Sequence, residues 1–236
     1  MRKKIDLSSN FSKKQRKKKD IKFIIIHYTG MQSEIESLKR LKNLRSKVSC
    51  HYLINRKGII TQIVKDKNIA WHAGKSRWNY FKNLNKFSIG IELVNKGHKL
   101  GYESFPSVQI QTLIKLCKFL KKKYNIKPVN FLGHSDIAPL RKIDPGEKFP
   151  WQRLSRYKIG KWHQLDKKKS EKNKEELKSN FFKNIFKIGY RYFNINKRDK
   201  KDKKIIRAFQ QRYLPKKVTG LIDRETLKIS HYLAKS

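Results

Sequence analysis

The chain has 236 residues, 37% hydrophobic and 11% aromatic, enough for one large domain or a medium domain with a small companion. Its 60 Lys and Arg against 18 Asp and Glu give a formal net charge of +42, which suits an anionic partner; the lysines are spread along the whole chain, as an AT-rich coding bias would also spread them. Two cysteines, Cys50 and Cys117, exclude a disulfide framework and a Cys-type zinc site, and no apolar run is long enough to span a bilayer.

Residues 1–20, "MRKKIDLSSNFSKKQRKKKD", are basic and lack an apolar signal region, so they read as a flexible arm. On that ground the expected location is the cytoplasm, with the periplasm or cell envelope as the alternative. A continuous apolar run over 21–28 predicts a strand buried on both faces, with His27 near its end. Alone, such a histidine is an ordinary core residue. Ser33 and Glu36 stand at capping-box spacing, and Ile35, Leu38 and Leu41 recur at helical spacing. "CHYLINRKGIITQIV" holds two β-rich runs around Arg56-Lys57-Gly58 and predicts a hairpin. Cys50 and His51 are adjacent in a strand and face opposite ways, which excludes a Cys–His nucleophilic pair. His51, Tyr52 and the Trp71-His72 pair of "AWHAG" suit a cleft that binds an amide or a sugar face; the plainer reading is core packing and a loop histidine.

"FSIGIELVN" is a further strand, in which Glu92 is an outlier, because a buried carboxylate without a task is costly. A glutamate on the exposed face of an edge strand would fit the same pattern. Ile110, Leu113, Ile114, Cys117 and Leu120 mark a long helix from Ser107 to Tyr124. "VNFLGH" is a short strand ending in His134. Strands alternating with helices predict an α/β fold, a mixed central sheet flanked by helices, over residues 21–162. Residues 163–178 are a polar linker, and residues 179–236 show three stretches of helical spacing, with Asp223 as a cap, that predict a small three-helix module.

Two strands thus end in histidine, and neighbouring strand ends would bring His27 and His134 together. "GHSDIAPLRKIDPGEKFPW" adds Asp136 and Asp144. Two histidines and one carboxylate form a catalytic zinc set with a fourth position open, and spacing does not choose between the two aspartates. Glu92 beside such a centre would act as general base. Lys142, two residues before Asp144, would stabilise an oxyanion; among so many lysines a solvated role is its default.

Taken together, "IIIHYTG", "VSCHYLINRKGIITQIV", "IAWHAG", "SIGIELVN", "LGHSDIAP" and "RKIDPGEKFPW" resemble, in order and spacing, the zinc-dependent N-acetylmuramoyl-L-alanine amidases of the type 2 class, relatives of the peptidoglycan recognition proteins. The resemblance covers about residues 20–162. It implies His27, His134 and Asp144 as ligands of Zn2+, Glu92 as the base, Lys142 as the transition-state stabiliser, and His51, Tyr52, Trp71 and His72 along the substrate cleft. It implies cleavage between N-acetylmuramic acid and the L-alanine of the stem peptide, with peptidoglycan or muropeptides as partners of a monomeric enzyme. The tail resembles a peptidoglycan-binding three-helix module, with Thr219 where an acidic residue is usual. On this reading residues 1–164 fold alone. The rival is a non-catalytic recognition protein, against which the complete ligand set with Glu92 and Lys142 argues. A nucleic-acid binder is a second rival, and no recognition motif supports it.

Overall fold

The computed structural model describes residues 2–165 and 176–236. Its strands are β1 (Lys3–Ile5), β2 (Ser12–Gln15), β3 (Phe23–Tyr28), β4 (Tyr52–Ile54), β5 (Ile60–Gln62), β6 (Asn68–Ile69), β7 (Arg77–Trp78), β8 (Phe81–Lys82), β9 (Ser88–Leu93) and β10 (Phe131–Gly133). Its helices are α1 (Glu34–Lys42), α2 (Gly97–Leu100), α3 (Ser107–Tyr124), α4 (His134–Ile137), α5 (Trp151–Ser155), α6 (Glu176–Ile188), α7 (Asp202–Tyr213) and α8 (Arg224–Lys235). Six strands form one mixed sheet in the order β1-β5-β4-β9-β3-β10. β4 and β5 are the expected antiparallel hairpin, while β3 runs parallel to both β9 and β10.

Alternation along β3 sends its residues into two cores. Ile24 and Ile26, with Ile91 and Leu93 of β9, face α3 through Ile110, Leu113, Cys117 and Leu120. Phe23 and Ile25 face the other way, with Leu132 and Ile137, and meet Phe181, Phe182 and Phe209 of α6 and α7. The sheet is therefore covered on both faces, which is why β3 reads as an unbroken apolar run. The three-helix tail shares a core with the sheet, which counts against residues 1–164 folding alone. Of the linker, 166–175 lie outside the described residues; before them, His163 Nε2 lies 3.0 Å from the Tyr213 carbonyl of α7. Asp223 caps α8 by accepting from Thr226 N at 2.8 Å.

A buried ion pair joins tail to sheet. Arg212 of α7 and Asp136 of α4 are 2% and 1% exposed and bond to each other. Asp136 also accepts from Tyr190 Oη at 2.6 Å and from Gly133 N at 2.7 Å, while Arg212 donates to the Phe131 carbonyl at 3.0 Å.

The flexible arm expected over residues 1–20 is corrected. β1 adds to the sheet beside β5, and β2 pairs with β6. Asn10 is buried and its amide reaches the carbonyls of Leu41, Asn43 and Val48. Arg16 is buried and donates to the carbonyls of Asp66, Asn85, Lys86 and Ser88. Two polar side chains anchor this segment to backbone, a bonding mode that hydrophobic periodicity does not register. In α1, Ser33 caps as expected, accepting from Glu36 N at 3.1 Å, but Ile35 points outward, 66% exposed. Among the described residues no helix is long and apolar enough to cross a membrane.

Candidate active site

Because β3 and β10 are parallel neighbours, His27 and His134 meet at one end of the sheet, their ring centroids 4.5 Å apart. The loop after α4 returns there, fixed where Ser135 N donates to the Asp144 carbonyl at 2.8 Å. Asp144 Oδ2 then lies 3.0 Å from His27 Nδ1 and 3.1 Å from His134 Nδ1, and the two Nδ1 atoms are 3.0 Å apart. All three side chains are buried. Asp144 is the aspartate brought to the histidines; Asp136 is spent on the turn at Gly133 and on Arg212.

The outer nitrogens have partners of their own. His27 Nε2 lies 3.0 Å from His72 Nδ1, and His134 Nε2 lies 3.2 Å from the Ala73 carbonyl. In the tautomers that place protons on both outer nitrogens, two Nδ1 lone pairs and one carboxylate oxygen converge on a point. Three acceptors so close repel one another unless a cation lies between them. This donor set, with its outer partners, fits zinc. Burial, and then the charge of His134, lowers His27 to about 4, so its imidazole is neutral at pH 7, the form that ligates. Burial pushes the Asp144 carboxyl up, but the neighbouring His134 and His27 outweigh it and hold the group well below the usual carboxylate range.

His72 continues the support. Its Nε2 lies 3.2 Å from Ser88 Oγ, whose hydroxyl donates to the Leu84 carbonyl at 2.6 Å. The His72 ring lies against Gly90 of β9, where a Cβ would come within 2.4 Å of it. Ala73, Ser88 and Gly90 were not singled out from the sequence. A glycine inside a strand, a sign of close approach, was the one available signal.

Glu92 is the register partner of His27 across β9 and β3, so both point to the same face. It is 9% exposed, and its Oε2 has no hydrogen-bond partner. Burial, then the charge of Asp144, raises its pKa to about 8, against the opposing charge of Lys142. Lys142 is half-buried and lines a groove of about 380 Å³ with Trp71, His72, His134 and Arg141.

His51 and Tyr52 do not line that groove, and their expected place in the cleft is corrected; they are 0% and 2% exposed. His51 Nδ1 accepts from Gly90 N at 3.0 Å, and its Nε2 lies 2.8 Å from Arg16 Nη2 and 3.1 Å from the Asn68 carbonyl. Burial, then the adjacent Arg16, lowers it to about 3. Tyr52 Oη donates to Asp66 Oδ1 at 2.6 Å inside the core. Polar aromatics look alike in sequence whether they line a cleft or support it from beneath.

Comparison with known proteins places this geometry among others. A family model described as N-acetylmuramoyl-L-alanine amidase matches residues 17–147. The chain is 35% identical over 240 residues to the N-acetylmuramoyl-L-alanine amidase AmiD of Escherichia coli K12, covering 90% of this chain and 82% of that one. Its fold matches the E. coli AmiD complex with the substrate anhydro-N-acetylmuramic acid-L-Ala-D-gamma-Glu-L-Lys at a TM-score of 0.81, over 92% of this chain and 89% of that one. It also matches AmpDh3 of Pseudomonas aeruginosa in complex with anhydromuramic pentapeptide, at a TM-score of 0.80 and 29% identity, over 92% of each chain.

Proposed function

The chain belongs to the N-acetylmuramoyl-L-alanine amidase family and is an amidase rather than a non-catalytic recognition protein, and on that premise we propose that His27, His134 and Asp144 hold zinc while Glu92 and Lys142 carry out the proton and charge work. The observation behind the zinc assignment is the convergence of three buried donors whose outer nitrogens are already engaged. When bound, zinc supplies a Lewis acid that polarises a carbonyl and acidifies water.

The bond cut joins the lactyl carbonyl of N-acetylmuramic acid to the nitrogen of L-alanine. Water adds to the carbonyl carbon, and the C–N bond then breaks to give a carboxylate and a free amine. Glu92, whose carboxyl the charge of a cation beside it would bring down from about 8 and so keep ionised, takes the proton of the attacking water and passes it to the departing nitrogen. Its unpartnered oxygen, on the same face as His27, suits that transfer. The Lys142 ammonium at the groove stabilises a developing oxyanion more than the neutral amide, and only that difference accelerates the step. His72 and the Ala73 carbonyl hold the two imidazoles so that both Nδ1 atoms face the centre. Trp71 and His72 form the groove wall against which the muropeptide lies.

The test follows peptide release from a muramoyl-tripeptide by mass spectrometry. Activity is expected to vanish on chelation and to return with zinc, with one zinc per chain by elemental analysis. Full activity in protein dialysed free of zinc would overturn the assignment.

A further inference from the structure

We propose that a second groove, between the 139–147 loop and α7, binds the carboxylate-bearing part of the stem peptide beyond the scissile amide, with Lys204 and Arg207 of α7 as its anion-binding side chains. The proposal rests on the amidase reading. The groove has a volume of about 580 Å³ and shares Arg141 and Lys142 with the groove at His134. A peptide leaving the reacting amide past Lys142 therefore passes from one groove into the other. An extended residue spans about 3.3–3.6 Å, so three residues carry a chain roughly 10 Å from the cut bond.

The lining fits such a peptide in two ways. Leu140, Ile143, Pro215 and Val218 in the lining offer apolar contacts for methyl and methylene groups. Lys142, Lys204 and Arg207 give it cations, and among the described residues Lys142 and Arg207 form no ion pair. Lys204 makes one long contact, 3.4 Å to the Leu140 carbonyl. The acidic residue in the lining, Glu147, is already engaged by His98 Nε2 at 3.1 Å and Gln211 Nε2 at 3.3 Å. A chain of net charge +42 carries cations on most surfaces. This patch differs in being a groove that sets apolar side chains beside cations and shares two lining residues with the groove at His134.

The ligand chemistry follows from the substrate named in the E. coli complex, in which D-Glu is joined through its γ-carboxyl. That linkage leaves an α-carboxylate free one residue past L-alanine, and the peptide terminus supplies another. On this reading the tail does more than tether the enzyme to the wall, because α7 is one side of the peptide path.

Calorimetry on the full-length protein with the peptide L-Ala-γ-D-Glu-L-Lys, and with its amidated analogue, tests this without turnover. Wild type is expected to bind the free acid about three- to tenfold more tightly than the amide at low salt, as two exposed ion pairs allow. The Lys204→Ala/Arg207→Ala double variant should lose that preference, while Lys115→Ala/Lys122→Ala on α3 keeps it; thermal melts confirm that both variants fold. Equal binding of acid and amide by wild type, undetectable binding, or equal loss in the α3 control overturns the proposal. Failure of the amidase reading would be seen separately, as absent release of peptide from the muramoyl substrate.

Discussion

Glu92 holds a carboxylate oxygen without a partner in a nearly enclosed position, an arrangement that costs stability and is kept where chemistry needs it. Glu92→Gln is expected to retain zinc and to melt no lower than wild type, while turnover on a muramoyl-tripeptide falls about 100-fold to 10,000-fold. Elemental analysis, melting curves and steady-state kinetics check the three parts together. Asp66 is the contrasting buried carboxylate. It accepts from Tyr52 and Tyr124 hydroxyls, each at 2.6 Å, and from Lys123 Nζ at 2.9 Å. Burial raises its pKa, but these three bonds outweigh that and leave it below the ordinary value. A folded pKa below the unfolded value of about 3.9 means that the unfolded chain takes up the proton first, so the stabilisation is present above about pH 4 and lost as pH falls below it. Asp66→Asn should melt lower than wild type at pH 7, and its melting temperature should fall less steeply from pH 5 to pH 3. At this scale the pairing of His27 with His134 was legible from two strands that each end in histidine, and Glu92 stood out as a carboxylate in an apolar strand, whereas Lys142 was one lysine among many and drew notice only through its spacing from Asp144. The placement of His51 and Tyr52 was not legible, since exposure depends on what packs above them.

The element that carries His134 is held from outside the sheet. α4 spans four residues, too short to stabilise itself, and its Asp136 is fixed by Arg212 of α7 and by Tyr190. Removing one partner of a buried pair leaves the other charge uncompensated. Arg212→Ala is therefore expected to cost about 3–5 kcal/mol in urea unfolding. Exposed Lys183→Ala on α6 should change stability by less than about 0.5 kcal/mol. Most elements were legible because their signals are periodic: an apolar run for β3, helical spacing for α3, a turn glycine for the hairpin. β1 and β2 were not, because a strand that lies exposed at a sheet edge has no apolar pattern to show.

At the scale of the whole molecule, the polar run after Trp162 looked like a boundary between independent units. Composition marks where a chain runs over the surface; it does not say whether the parts it joins share a core. Here Phe181, Phe182 and Phe209 cover Phe23, Ile25 and Leu132. Residues 1–164 alone are expected to lack a cooperative melting transition and to precipitate, and co-expression with residues 176–236 should restore a folded, active complex. A cooperative melt of the truncated chain near the wild-type temperature would refute this. The reach of Arg212 back to Asp136 also sets an order on synthesis. The ribosome makes His27, His134 and Asp144 well before the guanidinium that steadies α4, which lies 76 residues after its partner Asp136. Until α7 emerges, the nascent chain carries the three proposed ligands on an unfinished support, with one apolar face of its sheet bare to water. On the proposed ligand set, capture of zinc into a settled site would be an event of late or completed translation, and during the interval before it the bare face is open to aggregation.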